Sequence, residues 1–234
     1  MKPEFWHERW EKDEIGFHQH DFNHHMQEFI DCLDVQAGDN ILVPLCGKSL
    51  DMLWLAERGF QVTGIEISEL AVQDFFADNG LAHETIDRSG ALVYQGENID
   101  ICVTDFFTVE KKDVPLVDAV YDRASLIALP PDMRLDYAKH LTSLIGSGIR
   151  SLLVTLDYPQ EEMRGPPFSV MPAEVEQLFG SQYRINRLHS EDCLASEPRF
   201  RTSAKNPTIV ILAVVISGGT LAAALVFSLR NRED

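Results

Sequence analysis

The chain has 234 residues, 20 Lys+Arg against 37 Asp+Glu, a formal net charge of −17 and 45% hydrophobic content. That length suits one ordinary domain with an appendage, and the balanced composition excludes disordered, collagenous and coiled-coil chains. The acidic excess argues against nucleic acid and against adhesion to anionic membranes, since both need a basic footprint.

The N-terminus is charged throughout and has no apolar core, so no signal peptide is expected. Asn40 to Pro44 is a short apolar run and is predicted as a buried strand. Ser49 is placed to N-cap a helix from Leu50 to Arg58, with Gly59 just past its end. Gln61 to Ile65 follows as a second strand. Ser68 caps a helix from Glu69 to Asn79, which Gly80 ends. Ile99 to Thr104, Leu116 to Tyr121, Ile149 to Leu156 and Tyr183 to His189 are the remaining predicted strands. Pro131 opens a helix to about Ile145, and Pro172 opens a short one that stops at Gly180.

This alternation predicts a doubly wound α/β sheet with helices on both faces. Ligands in such folds bind outside the carboxyl ends of the strands. Function is therefore expected at Pro44 to Gly47, at Glu66, at Asp105 and at Tyr121 to Arg123.

Cys46-Gly47-Lys48-Ser49 looks like the end of a Walker A loop. The motif needs a glycine where Leu42 stands, so an NTPase is disfavoured. G-x-G-x-x-G is also missing, which removes most support for an NAD-dependent oxidoreductase. What remains is a tight turn at Gly47 and an acid, Glu66, at the tip of the second strand. A carboxylate there can accept both hydroxyls of a ribose, which suits S-adenosylmethionine.

The four cysteines, Cys32, Cys46, Cys102 and Cys193, are scattered without C-x-x-C, which fits a reducing compartment. His18, His20, His24 and His25 invite a metal reading, with His20 and His24 four apart on one helix face. No H-E-x-x-H and no cysteine partner accompanies them, so no metal is expected.

The C-terminus is different. No charge occurs from Asn206 to Leu229. Two interpretations stay open for residues 207–229: a membrane-spanning helix bracketed by Lys205 and Arg230, or a β hairpin turning at Ser217-Gly218-Gly219-Thr220.

Several blocks together resemble bacterial thiopurine S-methyltransferases. They are Phe5-Trp6-His7-Glu8-Arg9-Trp10, Ile15-Gly16-Phe17-His18, Val43-Pro44-Leu45-Cys46-Gly47-Lys48-Ser49-Leu50-Asp51-Met52 and Gly64-Ile65-Glu66-Ile67-Ser68. Asp105-Phe106-Phe107, Tyr121-Asp122-Arg123-Ala124, Ala128-Leu129-Pro130-Pro131 and Gly165-Pro166-Pro167-Phe168 follow in family order. The resemblance implies the Rossmann-like, mostly parallel sheet of class I methyltransferases with an N-terminal helical lid. It spans residues 1–200, leaving 201–234 as an atypical apolar segment. It further implies S-adenosylmethionine as methyl donor and thiopurines or other small aromatic thiols as acceptors. A cytoplasmic monomer without nucleic-acid partners is expected.

Carried over, the cofactor contacts would be Trp10, Leu45, Glu66 and Arg123. The structural alternative for Arg123 is an ion pair with Asp122 or Asp105. Phe17, Phe168 and Arg199 are candidates to hold the acceptor. Asp21 or His18 could assist deprotonation of a less acidic thiol. Other soft nucleophiles (halide, thiocyanate, selenium or tellurium species) are alternative acceptors. The apolar tail raises a further alternative, a membrane-tethered cofactor-binding protein without turnover.

Overall fold

The computed structural model describes residues 2–146, 148–193 and 208–216. Helix α1, Pro3–Glu11, begins with proline at its first turn, where a missing N–H costs nothing. Helix α2, His24–Phe29, is capped by Asn23, whose side chain accepts from the Met26 N–H. A 3-10 turn, Ile30–Leu33, leads into the sheet.

Strand β1, Asn40–Pro44, is buried at every position, as expected of a strand covered on both faces. Helix α3, Asp51–Glu57, strand β2, Gln61–Glu66, and helix α4, Glu69–Asp78, follow. Ser68 caps α4 by accepting from the Ala71 N–H. Ser49 does not occupy the cap of α3. Leu50 does, and the Ser49 hydroxyl instead accepts from the Asp51 N–H.

Strands β3, Glu84–Arg88, and β4, Ala91–Gln95, form an antiparallel hairpin absent from the sequence-based assignment. Strand β3 is an edge strand with mostly exposed polar side chains, so it shows no apolar run. Its one signal is Ser89-Gly90, both residues left-handed, as a type I′ turn requires.

Strands β5, Ile99–Val103, and β6, Ala119–Arg123, come next. The expected start at Leu116 is wrong. Leu116 is exposed, and its carbonyl accepts from the Asn40 side chain ahead of the strand. Helices α5, Ser125–Ala128, and α6, Pro131–Ile145, precede strand β7, Arg150–Asp157. Helix α7, Pro172–Phe179, and strands β8, Tyr183–Asp192, and β9, Thr208–Ile216, complete the order.

The nine described strands form one sheet in the order β3-β4-β5-β2-β1-β6-β7-β9-β8. Strands β5, β2, β1, β6 and β7 are parallel, and β9 is antiparallel to both β7 and β8. Residues from α2, α3 and α4 pack on one face, and residues from α5, α6 and α7 on the other. Gly64 in β2 permits close packing of α3: a Cβ there would lie 2.8 Å from Cys46 Sγ and 3.3 Å from Met52 Sδ.

The order of strand addition reverses at β1, which has β2 and β5 on one side and β6 and β7 on the other, the switch point of the sheet. Five positions pair between β1 and β2, but only Ile41 and Leu42 pair with β6. The tips of β1 and β6 therefore diverge, and a crevice opens between them.

Thr208–Ile216 is a strand, so the first half of the apolar tail lies in the sheet, past the boundary expected at residue 200. It pairs antiparallel with β8 and β7, and the expected hairpin arm at 221–229 lies outside the described residues. Among the described residues, no helix is long and apolar enough to cross a membrane.

Candidate active site

The crevice is a cavity of about 240 Å³ at the carboxyl ends of β1, β2, β5 and β6. Trp10, Leu45, Glu66 and Arg123 all line it, as do Phe17 and His18.

At the tip of β1 the backbone turns sharply. Leu45 has φ of 48° and Gly47 has φ of 51°. The left-handed region is costly for a side chain at Leu45, a strain of the kind found at binding sites. Gly47 is glycine for a second reason: a Cβ would lie 3.1 Å from Trp10 Cζ2. The Trp10 indole thus lies on the turn, carried there by α1. Its other neighbour is Phe17, edge to face with ring centroids 5.5 Å apart, and Phe17 meets Trp6 at 5.8 Å in the same manner. These rings give the cavity an aromatic wall.

Glu66 ends β2 and is buried. One carboxylate oxygen accepts from the Gly47 N–H and the other from the Ser68 N–H, both at 2.8 Å. Burial raises its pKa above the ordinary carboxylate value, against the opposing pull of these backbone N–H groups. A carboxylate has about four lone-pair sites, so each oxygen can accept a second donor. Glu66 therefore fixes the β1 turn and still presents acceptors to the cavity.

Arg123 ends β6. Its Nη1 donates to Gln19 Oε1 at 2.8 Å and lies 3.0 Å from Asp51 Oδ2. The ion-pair partner is thus Asp51, not Asp122 or Asp105. Asp122 is taken by the Tyr137 hydroxyl at 2.6 Å and the Ser125 N–H, and Asp105 by the Phe107 N–H. Asp51 is fully buried and also accepts from the Asn23 N–H at 2.7 Å and the Tyr121 hydroxyl at 2.9 Å. This network holds the guanidinium on the cavity wall with donors to spare for an anion.

Asp51 and Gln19 were missed by the sequence reasoning. Asp51 sits in the first turn of a helix, where an acid is unremarkable, and Gln19 lies in an irregular segment. Lys48 also lines the cavity, but its ammonium pairs with Asp78 at 3.0 Å and Asp74 at 3.4 Å on α4, away from any phosphate role.

The acceptor candidates divide. Phe17 faces the cavity, while Phe168 does not: its ring covers Gly165, where a Cβ would collide with it. Pro166 and Pro167 of the same loop line the cavity instead. His18 lines it too, and burial followed by the Lys48 charge lowers its pKa. Asp21 is exposed and off the cavity. Arg199 lies outside the described residues. His20 and His24 do not share a helix face, because α2 starts only at His24.

The fit to S-adenosylmethionine is good on this structure's own terms. The site offers a carboxylate at one strand tip and a guanidinium at another. Between them is a glycine cradle that a Cβ would fill, against an aromatic ring.

Comparisons with known proteins agree. The family model described as thiopurine S-methyltransferase matches residues 1–210. Relatives named thiopurine S-methyltransferase are 48% identical in Pseudomonas fluorescens (strain Pf0-1) and 50% identical in Shewanella baltica (strain OS185). Each match runs over 200 residues, 86% of this chain and 92% of the relative. Among solved structures, a SAM-dependent methyltransferase from Anabaena variabilis has a TM-score of 0.61 at 13% identity. The match covers 92% of this chain and 95% of that one. Geranyl diphosphate C-methyltransferase from Streptomyces coelicolor, in complex with S-adenosyl-L-homocysteine, has a TM-score of 0.57 at 14% identity. It covers 82% of this chain and 77% of that one. These structures bear on the fold, which is that of class I methyltransferases.

Proposed function

The chain belongs to the thiopurine S-methyltransferase family, and on that premise we propose how its residues move a methyl group to the sulfur of small aromatic thiols. The observation that carries the proposal is the juxtaposition of Glu66 and Arg123 across the Gly47 turn on one cavity.

Bound S-adenosylmethionine supplies a methyl group already activated by the positive sulfonium. The protein's work is then alignment, with reacting atoms about 3 Å apart and water excluded. Glu66 accepts the ribose hydroxyls through its remaining lone pairs. Arg123, held by Asp51 and Gln19, pairs with the amino-acid carboxylate. Trp10 closes on the Gly47 turn and offers an aromatic face near the sulfonium. Trp6, Phe17 and the Pro166-Pro167 turn form the wall against which a flat heterocycle lies.

An aromatic thiol is largely ionised or thione-like near neutral pH, so little base catalysis is needed. Where a proton must leave, His18 is the better acceptor than Asp21. It lines the cavity, and its lowered pKa keeps the imidazole neutral. The four cysteines are free thiols, which supports a cytoplasmic enzyme. A monomer is proposed, because one chain supplies Trp10, Leu45, Glu66 and Arg123 to the same cavity.

Radiolabelled methyl transfer across a panel of thiopurines, thiophenols, halides and selenite tests the acceptor class. Aromatic thiols should be methylated fastest. Turnover of halide or selenite with none of any thiol would overturn the acceptor assignment.

A further inference from the structure

We propose that His24, His25 and Glu191 form a binding site for a zinc-class divalent transition metal, outside the methyl-transfer cavity. One ligand atom from each lies within 4.8 Å of the others. His24 Nε2 is 3.6 Å and His25 Nε2 3.1 Å from Glu191 Oε1. Ligands about 2.0–2.1 Å from a tetrahedral zinc stand about 3.3 Å apart, which matches these separations.

Two independent features point to a ligand. First, His25 is buried, yet neither ring nitrogen has a hydrogen-bond partner among the described residues. Its Nε2 is close to the carboxylate but not aligned with it as a hydrogen bond. Buried imidazole nitrogens are ordinarily satisfied, and a cation between ring and carboxylate would satisfy this one. Second, the sheet departs from regularity to build the group. Tyr183 and Ile185 of β8 pack on the α7 face. Strict alternation would send His189 and Glu191 to that face too. The register shift between Arg187 and His189 changes the alternation. His189 then meets Phe29 and His25 of α2, with centroids 5.9 and 5.5 Å apart.

His189 completes the arrangement. Its Nε2 lies 3.4 Å from the second oxygen of Glu191, the position of an outer partner that orients a metal-ligating carboxylate. Three protein ligands, of which His24 is exposed and Glu191 partly so, would leave the fourth position of a tetrahedral metal to water, as in an exchangeable site. Two imidazoles and one carboxylate favour Zn²⁺ or Co²⁺ over Mg²⁺ or Ca²⁺, which prefer all-oxygen shells.

Bound metal would tie α2 to β8. Asn23, immediately before α2, donates its N–H to Asp51, which holds Arg123. The site therefore anchors the segment that carries Gln19 and His18 over the cavity.

The test uses the full chain without an affinity tag. Zn²⁺ alone is titrated by calorimetry, and Co²⁺ alone is followed by its visible ligand-field bands. One equivalent should bind, with the intense bands of tetrahedral coordination. His24→Ala, at an exposed position, and Glu191→Gln should each weaken binding at least about tenfold while melting as cooperatively as the parent. A His18→Ala/His20→Ala control should bind as the parent does. No saturable binding, or unchanged affinity in both ligand variants, would overturn the proposal. So would loss of binding in the His18/His20 control alone.

Discussion

Gly47→Ala separates backbone strain from loss of the Trp10 lid. At φ of 51°, any L side chain pays for a left-handed conformation, about 1–2 kcal/mol. The new Cβ also stands 3.1 Å from Trp10 Cζ2, tighter than ordinary contact, so the indole must retreat. Trp10 is nearly buried and braced edge to face by Phe17, so it has little room to yield. Overpacking of this kind costs about 1–3 kcal/mol. The single substitution should therefore cost about 2–5 kcal/mol, measured by urea denaturation of the ligand-free protein.

In a Trp10→Ala background only the strain should remain, leaving a coupling of about 1–3 kcal/mol in the double-mutant cycle. Calorimetry with S-adenosylhomocysteine should show affinity falling by about tenfold or more in Gly47→Ala, since the lid no longer seats. An equal penalty with and without the indole would refute the contact between Trp10 and the turn. A negligible penalty in both backgrounds would refute the left-handed geometry of the β1 tip itself.

Glu66→Ala removes both the clamp on the Gly47 and Ser68 N–H groups and the ribose acceptors, so cofactor affinity should fall by about 1–3 kcal/mol. Unchanged binding in calorimetry would remove Glu66 from the site. Arg123→Lys keeps the charge but loses the planar fork, so KM for S-adenosylmethionine should rise more than kcat falls; the reverse pattern would argue against carboxylate pairing. Stability should decline in mild acid through His18 and His25, whose folded pKa values lie below 6.5 because burial disfavours their charged forms. That contribution is fully present above pH 6.5 and is lost as pH falls through the lowered values, with a slope of at most about 1.4 kcal/mol per pH unit per group. Denaturation midpoints at pH 7.5 and 5.5 should differ less in His25→Leu than in the parent, and an equal difference would contradict the assignment for His25.

The parallel strands were legible as short apolar runs, too short for a helix, although β6 has no cap or glycine beside it and begins at Ala119, after the start of its run at Leu116. The cavity position of Glu66 was legible for a related reason: in a doubly wound sheet, a charged residue directly after such a run stands at the ligand edge. The residue directly after the Tyr121 run is instead Asp122, and it is the family resemblance that points to Arg123 as a cofactor contact. What stayed hidden depends on partners distant in the chain. Asp51 looks like any acid at a helix start, and its role emerges only when Tyr121, 70 residues on, brings its hydroxyl within 2.9 Å. Phe168 carries the right chemistry for an acceptor wall, but the absent side chain at Gly165 lets its ring fold onto the loop, and the prolines take its place. The histidines of α2 showed no partner because Glu191 lies on β8, aimed by a register shift that no local pattern announces.

The apolar tail follows the same logic from the opposite direction. A strand with neighbours on both edges, in a sheet covered on both faces, needs no polar alternation. Thr208–Ile216 runs between β7 and β8, so its backbone is paired along both edges, and its unbroken run of Ile, Val, Leu and Ala reads equally well as half of a spanning helix. Composition alone could not separate the two, because lipid and a doubly covered sheet impose the same demand on side chains. The backbone separates them. Seven positions of β7, from Ser151 to Asp157, pair with this strand. A helix in its place would leave the edge of β7 without those partners, its buried N–H and C=O groups unpaired at a cost of about 1–3 kcal/mol each. Deleting the chain from residue 208 onward should accordingly abolish cooperative folding. A truncated protein that still melts cooperatively and binds S-adenosylhomocysteine would show that the sheet closes at β7 without it.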